Sequence, residues 1–385
     1  MEPLRIAEGS PHRPDLTELA IRLTANSAGF QRSLPPGVVA ALADLVRAMN
    51  CYYSNLIEGH NTHPIDIERA LRSEYSREPG RRNLQLEARA HVTVQAWIDA
   101  GGVSGRATSH EVIREIHRRF CEPLPDELLW VEDPETGKRA RVRPGEFRAR
   151  DVRVGTHVPI SPGAIPRFVN RFEAVYGPLG RAEAIISAAA AHHRLLWIHP
   201  FLDGNGRVVR LMSHAMLLEA LESRGVWSIA RGLARRESDY KKHLAACDSA
   251  RQGDADGRGN LSERTLVDFT RFFLEVCIDQ VQFMEGLVEP GRLRDRILAW
   301  ATEEIRAGAL PSKAATILES VLFRGELARA DAAPLLRTSD RQARRVVAAL
   351  IDAGVLSSES LRAPLRIVFP AALAARWLPG LFPER

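Results

Sequence analysis

The chain has 385 residues with a net charge of +5, and 45% of its residues are hydrophobic. This composition is typical of a soluble globular protein with two or three domains. It excludes a membrane-spanning helix, since no apolar run approaches the roughly 20 residues required, and the N-terminus lacks the apolar core of a signal peptide. We expect a cytoplasmic protein without membrane attachment, because the cysteines are scattered without zinc-type spacing: Cys51, Cys121, Cys247 and Cys277.

The positive charge is concentrated near the C-terminus. Residues 290–385 carry 15 Lys and Arg against 10 Asp and Glu, whereas the rest of the chain balances at 38 against 38. This surplus indicates a separate module with an anionic partner.

Most of the chain before the tail is predicted to be helical. Apolar residues recur at spacings of three and four over 38–58, 84–99, 109–120, 181–198, 207–221 and 262–285. Residues 122–162 are richer in Pro, Gly and charge and contain short β-like runs, which predict a hairpin or an ordered flap. A polar loop is predicted at 251–262, and residues 286–312 are predicted to link the central region to the tail.

The tail has the element order of a winged helix-turn-helix. The pattern predicts a helix, a short helix, a turn at Thr338–Ser339, a third helix and two strand-like segments, the helices being 313–324, 329–335 and 340–353. Ser339 is the expected N-cap of the third helix, and Gly354 is the expected residue after its C-cap.

The third tail helix is predicted to have one basic and one apolar face, at about 100° per residue. The basic face is formed by Arg341, Arg344 and Arg345, and the apolar face by Ala343, Val346, Val347 and Leu350. Arg362 and Arg366 lie on the predicted wing. Two interpretations stay open: DNA binding through the basic face, or a protein-interaction or structural module.

The segment Ile198–Arg210, IHPFLDGNGRVVR, concentrates the chemistry of the chain between two predicted helices. Pro200 disfavours helix at His199, so the imidazole is expected at a helix end facing a cleft, where it can act as a base. Gly204 and Gly206 let the backbone approach a ligand and direct N–H groups at an anion, and the following helix N-terminus adds its positive dipole end.

Three further side chains of this segment suit phosphate chemistry. Asp203 is a hard oxygen ligand for Mg²⁺ that bridges phosphates. Arg207 and Arg210, three residues apart, share a helix face as phosphate-pairing cations do. A zinc hydrolase site from His192, His199 and Asp203 is the alternative, but it leaves both arginines and the Gly-Asn-Gly turn unexplained.

HPFLDGNGRVVR resembles the signature of Fic-domain proteins, HPFx(D/E)GNGRxxR, at every fixed position. The resemblance implies a mainly α fold with a Fic-type helical core and transfer of AMP from ATP to a hydroxyl of a protein side chain. It implies that His199 is the base and that Asp203 holds Mg²⁺. It also implies that Gly204, Asn205 and Gly206 form an anion hole. Arg207 is implied to contact the phosphates, and Arg210 to contact the γ-phosphate.

Two more segments resemble the family. Residues 145–162 look like its β-hairpin flap, which pairs with a segment of the target; a plain surface hairpin is the alternative. The implied docking residues are Val152, Val154, Gly155, His157 and Val158. DYKKHL, residues 239–244, resembles a family segment written YYxxL, so Tyr240 is implied to line a nucleobase pocket, whereas Lys241 departs from the pattern.

SNLIEG, Ser54–Gly59, resembles the family's inhibitory motif (S/T)xxxE(G/N). Ser54 and Glu58 are four residues apart and share a helix face. The resemblance implies that Glu58 pairs with Arg210 in the place of the γ-phosphate and inhibits its own chain. A related possibility is that Glu58 orients a water for removal of AMP.

The predicted organisation is a helical region at 1–104 with an inhibitory helix at about 44–59, a Fic core at 105–288 and a winged helix-turn-helix at 289–385. The expected function is AMP transfer restrained by Glu58, using ATP and Mg²⁺. A target protein is expected at the flap and DNA at the tail, and a homodimer is compatible with the sequence. A DNA-associated regulator with a sensory Fic core and a different nucleotide donor are the alternatives.

Overall fold

The computed structural model describes residues 1–132 and 137–383 and is mainly helical. The helices are α1 (Arg13–Arg32), α2 (Pro36–Ile57), α3 (Pro64–Leu71), α4 (Pro79–Asp99), α5 (His110–Cys121), α6 (Ile165–Tyr176), α7 (Arg181–Ile198), α8 (Asn205–Leu221), α9 (Ala230–Arg235), α10 (Glu237–Ala246), α11 (Glu263–Leu287), α12 (Pro290–Arg306), α13 (Ala314–Arg324), α14 (Ala332–Leu336), α15 (Asp340–Asp352) and α16 (Ala374–Trp377). The strands are β1 (Trp130–Glu132), β2 (Arg139–Arg141), β3 (Leu356–Ser357) and β4 (Arg366–Ile367).

The helices predicted before the tail are confirmed as α2, α4, α5, α7, α8 and α11. Helix α4 begins nearer the N-terminus than predicted, because its first turn is defined by an N-cap and lacks apolar periodicity. There the Glu78 carboxylate accepts the N–H groups of Gly80 and Arg81 at 2.9 and 2.8 Å, and Pro79 occupies the first helical position.

The residues fall into two compact units. One contains residues 1–28 and 50–281, and the other contains residues 29–49 and those from 282 onward. The domain boundaries expected at 104 and 288 stay predictions. The segment 286–312 is more than the expected link, since it contains α12 with the buried residues Leu293, Ile297 and Trp300.

The first unit is organised around α7 and α8. Helix α7 is buried on all sides between Ile185 and Leu195, which explains why it lacks a polar face. It packs against α6 and α8, while α8 also contacts α4 and α5. The loop between α7 and α8 is therefore held at the end of two buried helices.

The second unit contains the predicted tail elements in the predicted order. Helices α13, α14 and α15 are followed by the antiparallel pair β3–β4, to which Leu327 adds a bridge with Leu365. The hydroxyl of Ser339 caps the Gln342 N–H, and Gly354 follows the C-cap with φ 72°. Trp300 of α12 packs edge-on against Trp377 of α16 at 5.1 Å.

All four cysteines are buried free thiols. Across residues 1–132 and 137–383, none of the helices combines the length and apolar character required to cross a bilayer.

Candidate functional site

The signature loop, residues 199–206, joins α7 to α8 through two left-handed residues. His199 follows α7 with φ 50°, and Gly204 precedes α8 with φ 77°. A left-handed conformation is strained at a non-glycine residue, so other contacts must hold His199. Arg148 supplies one, because its Nε donates to the His199 carbonyl at 2.8 Å.

The pKa of the His199 imidazole lies below its ordinary value. Burial lowers its pKa to about 4, and the Arg148 guanidinium adds to this effect. The ring is therefore neutral near pH 7 and available as a base. It lines a cleft of about 650 Å³ together with Leu202 and Val158.

Asn205 braces the signature loop with its side chain. Its Oδ1 accepts the Phe201 N–H at 2.9 Å, and its Nδ2 donates to the Phe201 carbonyl at 2.8 Å. The side-chain amide is thus used within the loop. The expected anion hole at Asn205 therefore stays a prediction for its backbone N–H at the first turn of α8.

Ser54 and Glu58 both contact Arg210, which is 3% exposed. Arg210 Nε donates to Ser54 Oγ at 2.8 Å, and its NH2 group donates to Glu58 Oε1 at 2.5 Å. Burial opposes ionisation of Glu58, but the Arg210 guanidinium outweighs burial and holds the pKa of Glu58 below its ordinary value. The structure therefore places an ionised carboxylate on the second arginine of the signature.

The Glu58 carboxylate also lies against the first turn of α8. A Cβ added at Gly206 would be 2.2 Å from Glu58 Oε1 and 3.0 Å from Arg210 NH1. Only glycine leaves room for the carboxylate at this distance from the backbone. The carboxylate consequently lies beside the positive end of α8, where negative charge is favoured.

The geometry at the C-terminal end of α2 explains why a glycine, Gly59, follows Glu58. Gly59 has φ 84°, and its N–H donates to the Leu56 carbonyl at 3.0 Å while the His60 N–H donates to the Asn55 carbonyl at 2.9 Å. This pair of bonds is the Schellman termination, in which glycine takes the left-handed position. It fixes the direction in which Glu58 leaves the helix.

Arg207 is held by a glutamate that the sequence analysis did not identify. Its NH1 donates to Glu87 Oε2 on α4 at 3.0 Å, and its NH2 lies 3.7 Å from Asp203 Oδ2. The guanidinium stacks 4.6 Å from the centre of the Phe120 ring. His60 Nδ1 donates to the same Glu87 oxygen at 2.9 Å.

His117 of α5 contacts the signature loop, and the sequence pattern did not predict this role. The Gly145 N–H donates to its Nδ1 at 2.9 Å, so the ring proton lies on Nε2, which donates to the Asp203 carbonyl at 3.2 Å. The ring stacks on Phe201 with a centroid distance of 3.9 Å. No local motif marks His117, because its partners lie 28 and 86 residues away.

The segment predicted to be a hairpin flap, residues 145–162, has less β-pairing than expected. In this described segment, β-pairing is limited to the bridge between Val154 and His157, whereas the antiparallel pair β1–β2 lies upstream. Arg148 explains the difference, since it donates to the carbonyls of Arg150 and Ile160 at 2.8 and 2.5 Å. Two carbonyls of the flap thus bond to a guanidinium instead of an opposite strand.

The flap residues named from the sequence have different environments. Val154 and Val158 are 44% and 67% exposed, which is unusual for valine. Val152 and Gly155 line the same cleft as His199. His157 is anchored instead, since its Nε2 donates to the Trp197 carbonyl at 2.9 Å.

The structure does not support the expected place of Tyr240 on the wall of a nucleobase pocket. The side chain is 2% exposed, and its hydroxyl donates to His192 Nε2 at 2.7 Å. His192 Nδ1 donates in turn to Ser213 Oγ at 2.9 Å. The Tyr240 hydroxyl thus supplies a hydrogen-bond partner to a buried histidine, and the side chain does not line an open pocket.

This network also removes support for a zinc site. Both nitrogens of His192 have hydrogen-bond partners, and burial keeps its pKa well below the ordinary value. Among the residues that the structure describes, no group of three His, Cys, Asp or Glu side chains is arranged to hold a metal.

The basic tail residues lie where the helical pattern predicted. Arg341, Arg344 and Arg345 are exposed on α15, and its apolar residues Ala343, Val346, Val347 and Leu350 are buried. On the wing, Arg366 is paired with Glu326 at 3.2 Å and with Glu359 at 3.1 Å. The wing therefore presents less positive charge than the sequence suggested.

Comparisons with known proteins find similarity to one family in the segment that contains the signature loop. Residues 107–217 match the model described as the Fic/DOC family. The protein adenylyltransferase Fic of Drosophila ananassae is 36% identical over 126 residues, which are 32% of this chain and 22% of that protein. The protein of the same name from Culex quinquefasciatus is 39% identical over 111 residues, 28% of this chain and 19% of that protein. The match thus covers about a fifth of the length of these relatives.

Solved structures extend the similarity of fold beyond this segment. A Fic family protein from Desulfovibrio desulfuricans G20 has a TM-score of 0.55 at 14% identity, covering 94% of this chain and 98% of that chain. A Fic domain-containing signaling protein from Bacteroides thetaiotaomicron VPI-5482 has a TM-score of 0.51 at 21% identity, covering 69% and 95%. The mainly α fold is therefore shared.

Proposed function

We propose that this protein, whose residues 107–217 match the Fic/DOC family model, transfers AMP from ATP to a hydroxyl side chain of a target protein. We further propose that Glu58 restrains the reaction. The observation that carries the proposal is the position of the Glu58 carboxylate, which lies between Arg210 and the backbone of Gly206 at the N-terminus of α8. An anion site already filled by a carboxylate of the same chain is a site for an anionic ligand.

The proposed reaction requires a base and a set of positive groups. His199, neutral near pH 7, takes the proton of the target hydroxyl while the hydroxyl oxygen attacks the α-phosphorus of ATP. A new P–O bond forms, the bond to pyrophosphate breaks, and the proton ends on His199. Arg207, Arg210 and the backbone N–H groups of α8 stabilise the phosphate charge, which is the main catalytic term in transfers of this type.

The residues present also fit Mg²⁺. The Asp203 side chain is 53% exposed beside Arg207, so its carboxylate oxygens are accessible at the end of the signature loop. A bound Mg²⁺ would neutralise charge on the phosphates. Arg148 and His117 maintain the loop geometry through the carbonyls of His199 and Asp203.

The exposed flap supports a target protein as the acceptor. Val154 and Val158 offer apolar contacts next to His199, and the flap backbone has little pairing of its own within the described residues. An extended segment of a target can add to such a backbone by β-augmentation. This geometry would carry a hydroxyl side chain into the cleft.

Restraint by Glu58 follows from competition for Arg210. The γ-phosphate of a productive ATP would need the guanidinium that Glu58 now holds. Displacing Glu58 breaks a charge-assisted hydrogen bond to Arg210, whose side chain is 3% exposed while that of Glu58 is 32% exposed. Breaking such a half-buried pair costs more than breaking a fully exposed ion pair. We expect Glu58→Gly to increase transfer by about one to several orders of magnitude, since each 1.4 kcal/mol removed is a factor of ten.

Intact mass after incubation with Mg·ATP tests the proposal, since the chain is itself a candidate acceptor. We expect the Glu58→Gly protein to gain the mass of AMP and the Glu58→Gly/His199→Ala protein to remain unmodified. A gain that persists without His199 would contradict the assigned base. A different mass increment with other nucleoside triphosphates would identify another donor, and loss of AMP from modified protein mixed with native enzyme would reveal the reverse reaction.

We propose DNA binding as a second function, carried by the exposed basic face of α15. Arg341, Arg344 and Arg345 extend outward while the opposite face is buried, as in a recognition helix. The full-length protein should shift a labelled duplex at low salt and release it steeply as salt rises. Failure to bind at low salt would favour a protein-interaction module.

A further inference from the structure

The segment that carries Glu58 has a second contact with the signature helix. The Schellman turn at Gly59 places His60 two residues after Glu58 and directs it to α4. There His60 Nδ1 lies 2.9 Å from Glu87 Oε2, and this oxygen also accepts from Arg207 NH1 at 3.0 Å. We call His60, Glu87 and Arg207 the Glu87 latch.

The two arginines of the signature are therefore both held by glutamates. Arg210 is held by Glu58 directly, and Arg207 is held by Glu87, whose other donor comes from the inhibitory segment. Arg207 and Arg210 are one helical turn apart on α8, so the segment after α2 acts on both at adjacent positions. Release of Glu58 alone would leave this second attachment in place.

The hydrogen bonds of the Glu87 latch are strengthened by burial. Glu87 and Arg207 are each 7% exposed, and a bond between buried charged groups is stronger than one at the surface. His60 is more exposed, and the charged groups that face it are Glu87, Arg207 and Glu58. Its hydrogen bond to Glu87 raises the pKa of His60, which favours the charged form that binds Glu87 most strongly.

We propose that Glu87 is a positioning residue for Arg207 and that His60 uses Glu87 to fasten the inhibitory segment independently of Glu58. The proposal rests on the function proposed above. It assigns distinct effects to the two residues. Loss of His60 should free the segment and leave Arg207 in position, whereas loss of the Glu87 charge should free the segment and also displace Arg207.

Hydrogen exchange of residues 54–62 in the nucleotide-free protein tests the fastening directly. We expect His60→Ala to raise exchange in this segment about fivefold, the effect of one charge-assisted bond discounted for partial exposure. His63→Ala is the matched control, because His63 is an exposed histidine three residues away whose side chain makes no cap bond. Equal exchange in the His60→Ala and native proteins would overturn the proposal.

Kinetics of AMP transfer then separate fastening from positioning. With Glu58 present, His60→Ala should raise the initial rate about fivefold. In the Glu58→Gly background it should change neither kcat nor the KM for ATP. In the same background Glu87→Gln should raise the KM for ATP about tenfold, since Arg207 loses its charged partner.

The outcomes distinguish failure of the latch from failure of the proposed function. If no variant, including Glu58→Gly, transfers AMP, the proposed function fails while hydrogen exchange still measures the latch. If Glu87→Gln leaves the KM for ATP unchanged in the active background, Glu87 has no positioning role. If His60→Ala accelerates transfer as much in the Glu58→Gly background as in the native one, His60 does not act through the inhibitory segment.

Discussion

Glu58 and Arg210 are 152 residues apart in the chain, yet Glu58 Oε1 lies 2.5 Å from Arg210 NH2. The contact depends on two conformational details, the left-handed Gly59 that ends α2 and the absence of a side chain at Gly206. In the proposed function, this contact lets the end of α2 block the anion site at the start of α8. Substitutions of Glu58 measure how much this contact contributes to the proposed restraint of AMP transfer.

Glu58→Gln should activate AMP transfer less than Glu58→Gly does. Glutamine preserves the size of the side chain and can still accept from Arg210, but it removes the charge-assisted part of the bond. We expect an initial rate about tenfold above the native rate, measured as incorporation of labelled AMP. Glu68→Gln on α3, where Glu68 pairs with Arg72 at 3.3 Å, is the control and should leave the rate unchanged. A Glu58→Gln rate at or below the native value would contradict restraint by charge.

Arg148→Lys should impair transfer far more than nucleotide binding. Arg148 donates to the carbonyls of His199, Arg150 and Ile160, and a lysine cannot reproduce this planar set of donors. Because misplacement of a base by about 1 Å can cost about a hundredfold in rate, we expect kcat in the Glu58→Gly background to fall by about that factor. The Kd for ATP should change little.

The control for this prediction is Arg143→Lys, since Arg143 is an exposed residue that pairs with Glu146 at 3.4 Å. It should retain full kcat. Equal losses in the two variants would show that Arg148 has no special part in placing His199 and the flap.

Buried neutral histidines should make the protein sensitive to acid. Burial lowers the pKa of His91 from 6.5 to about 3 and that of His117 and His193 to about 4. The unfolded chain therefore binds more protons below pH 6.5, so stability is fully present above that pH and falls as the pH drops toward the folded values. We expect the free energy of unfolding in urea to decrease continuously from pH 7 to pH 5.

His91 provides a specific test of this origin. The residue is fully buried, and neither ring nitrogen has a hydrogen-bond partner within the described residues. His91→Leu should therefore be tolerated at pH 7 and should remove about 2 kcal/mol of the loss between pH 7 and pH 5. His63→Leu, at an exposed position, should leave the pH dependence intact, and an unchanged slope in His91→Leu would rule out this account.

Replacing Arg341, Arg344 and Arg345 with alanine should weaken DNA binding almost equally for all sequences. Removing one arginine–phosphate ion pair lowers the dependence of log K on log salt by about one. We expect the slope to decrease by about three, measured by fluorescence anisotropy with the full-length protein. Arg376→Ala in the same unit, where Arg376 pairs with Glu303, should retain the native slope.

The sequence alone predicted the elements whose determinants are local. The helices α7 and α8, the signature loop between them and the exposed arginines of α15 follow from periodicity and from residue types at short spacing. Glu58 and Gly59 could be recognised as a motif because the Schellman turn needs consecutive residues. In these cases all the required groups lie within a few turns of one segment.

The tertiary structure decided which side chains support those groups. Glu87 meets Arg207 across 120 residues, and His117 meets the Asp203 carbonyl across 86. The sequence predicted that Tyr240 lines a nucleotide pocket, but in the structure its hydroxyl forms a hydrogen bond with His192. Such pairings depend on how α4, α5 and α10 dock, and a buried charge or ring nitrogen takes whichever partner that docking brings within hydrogen-bond distance.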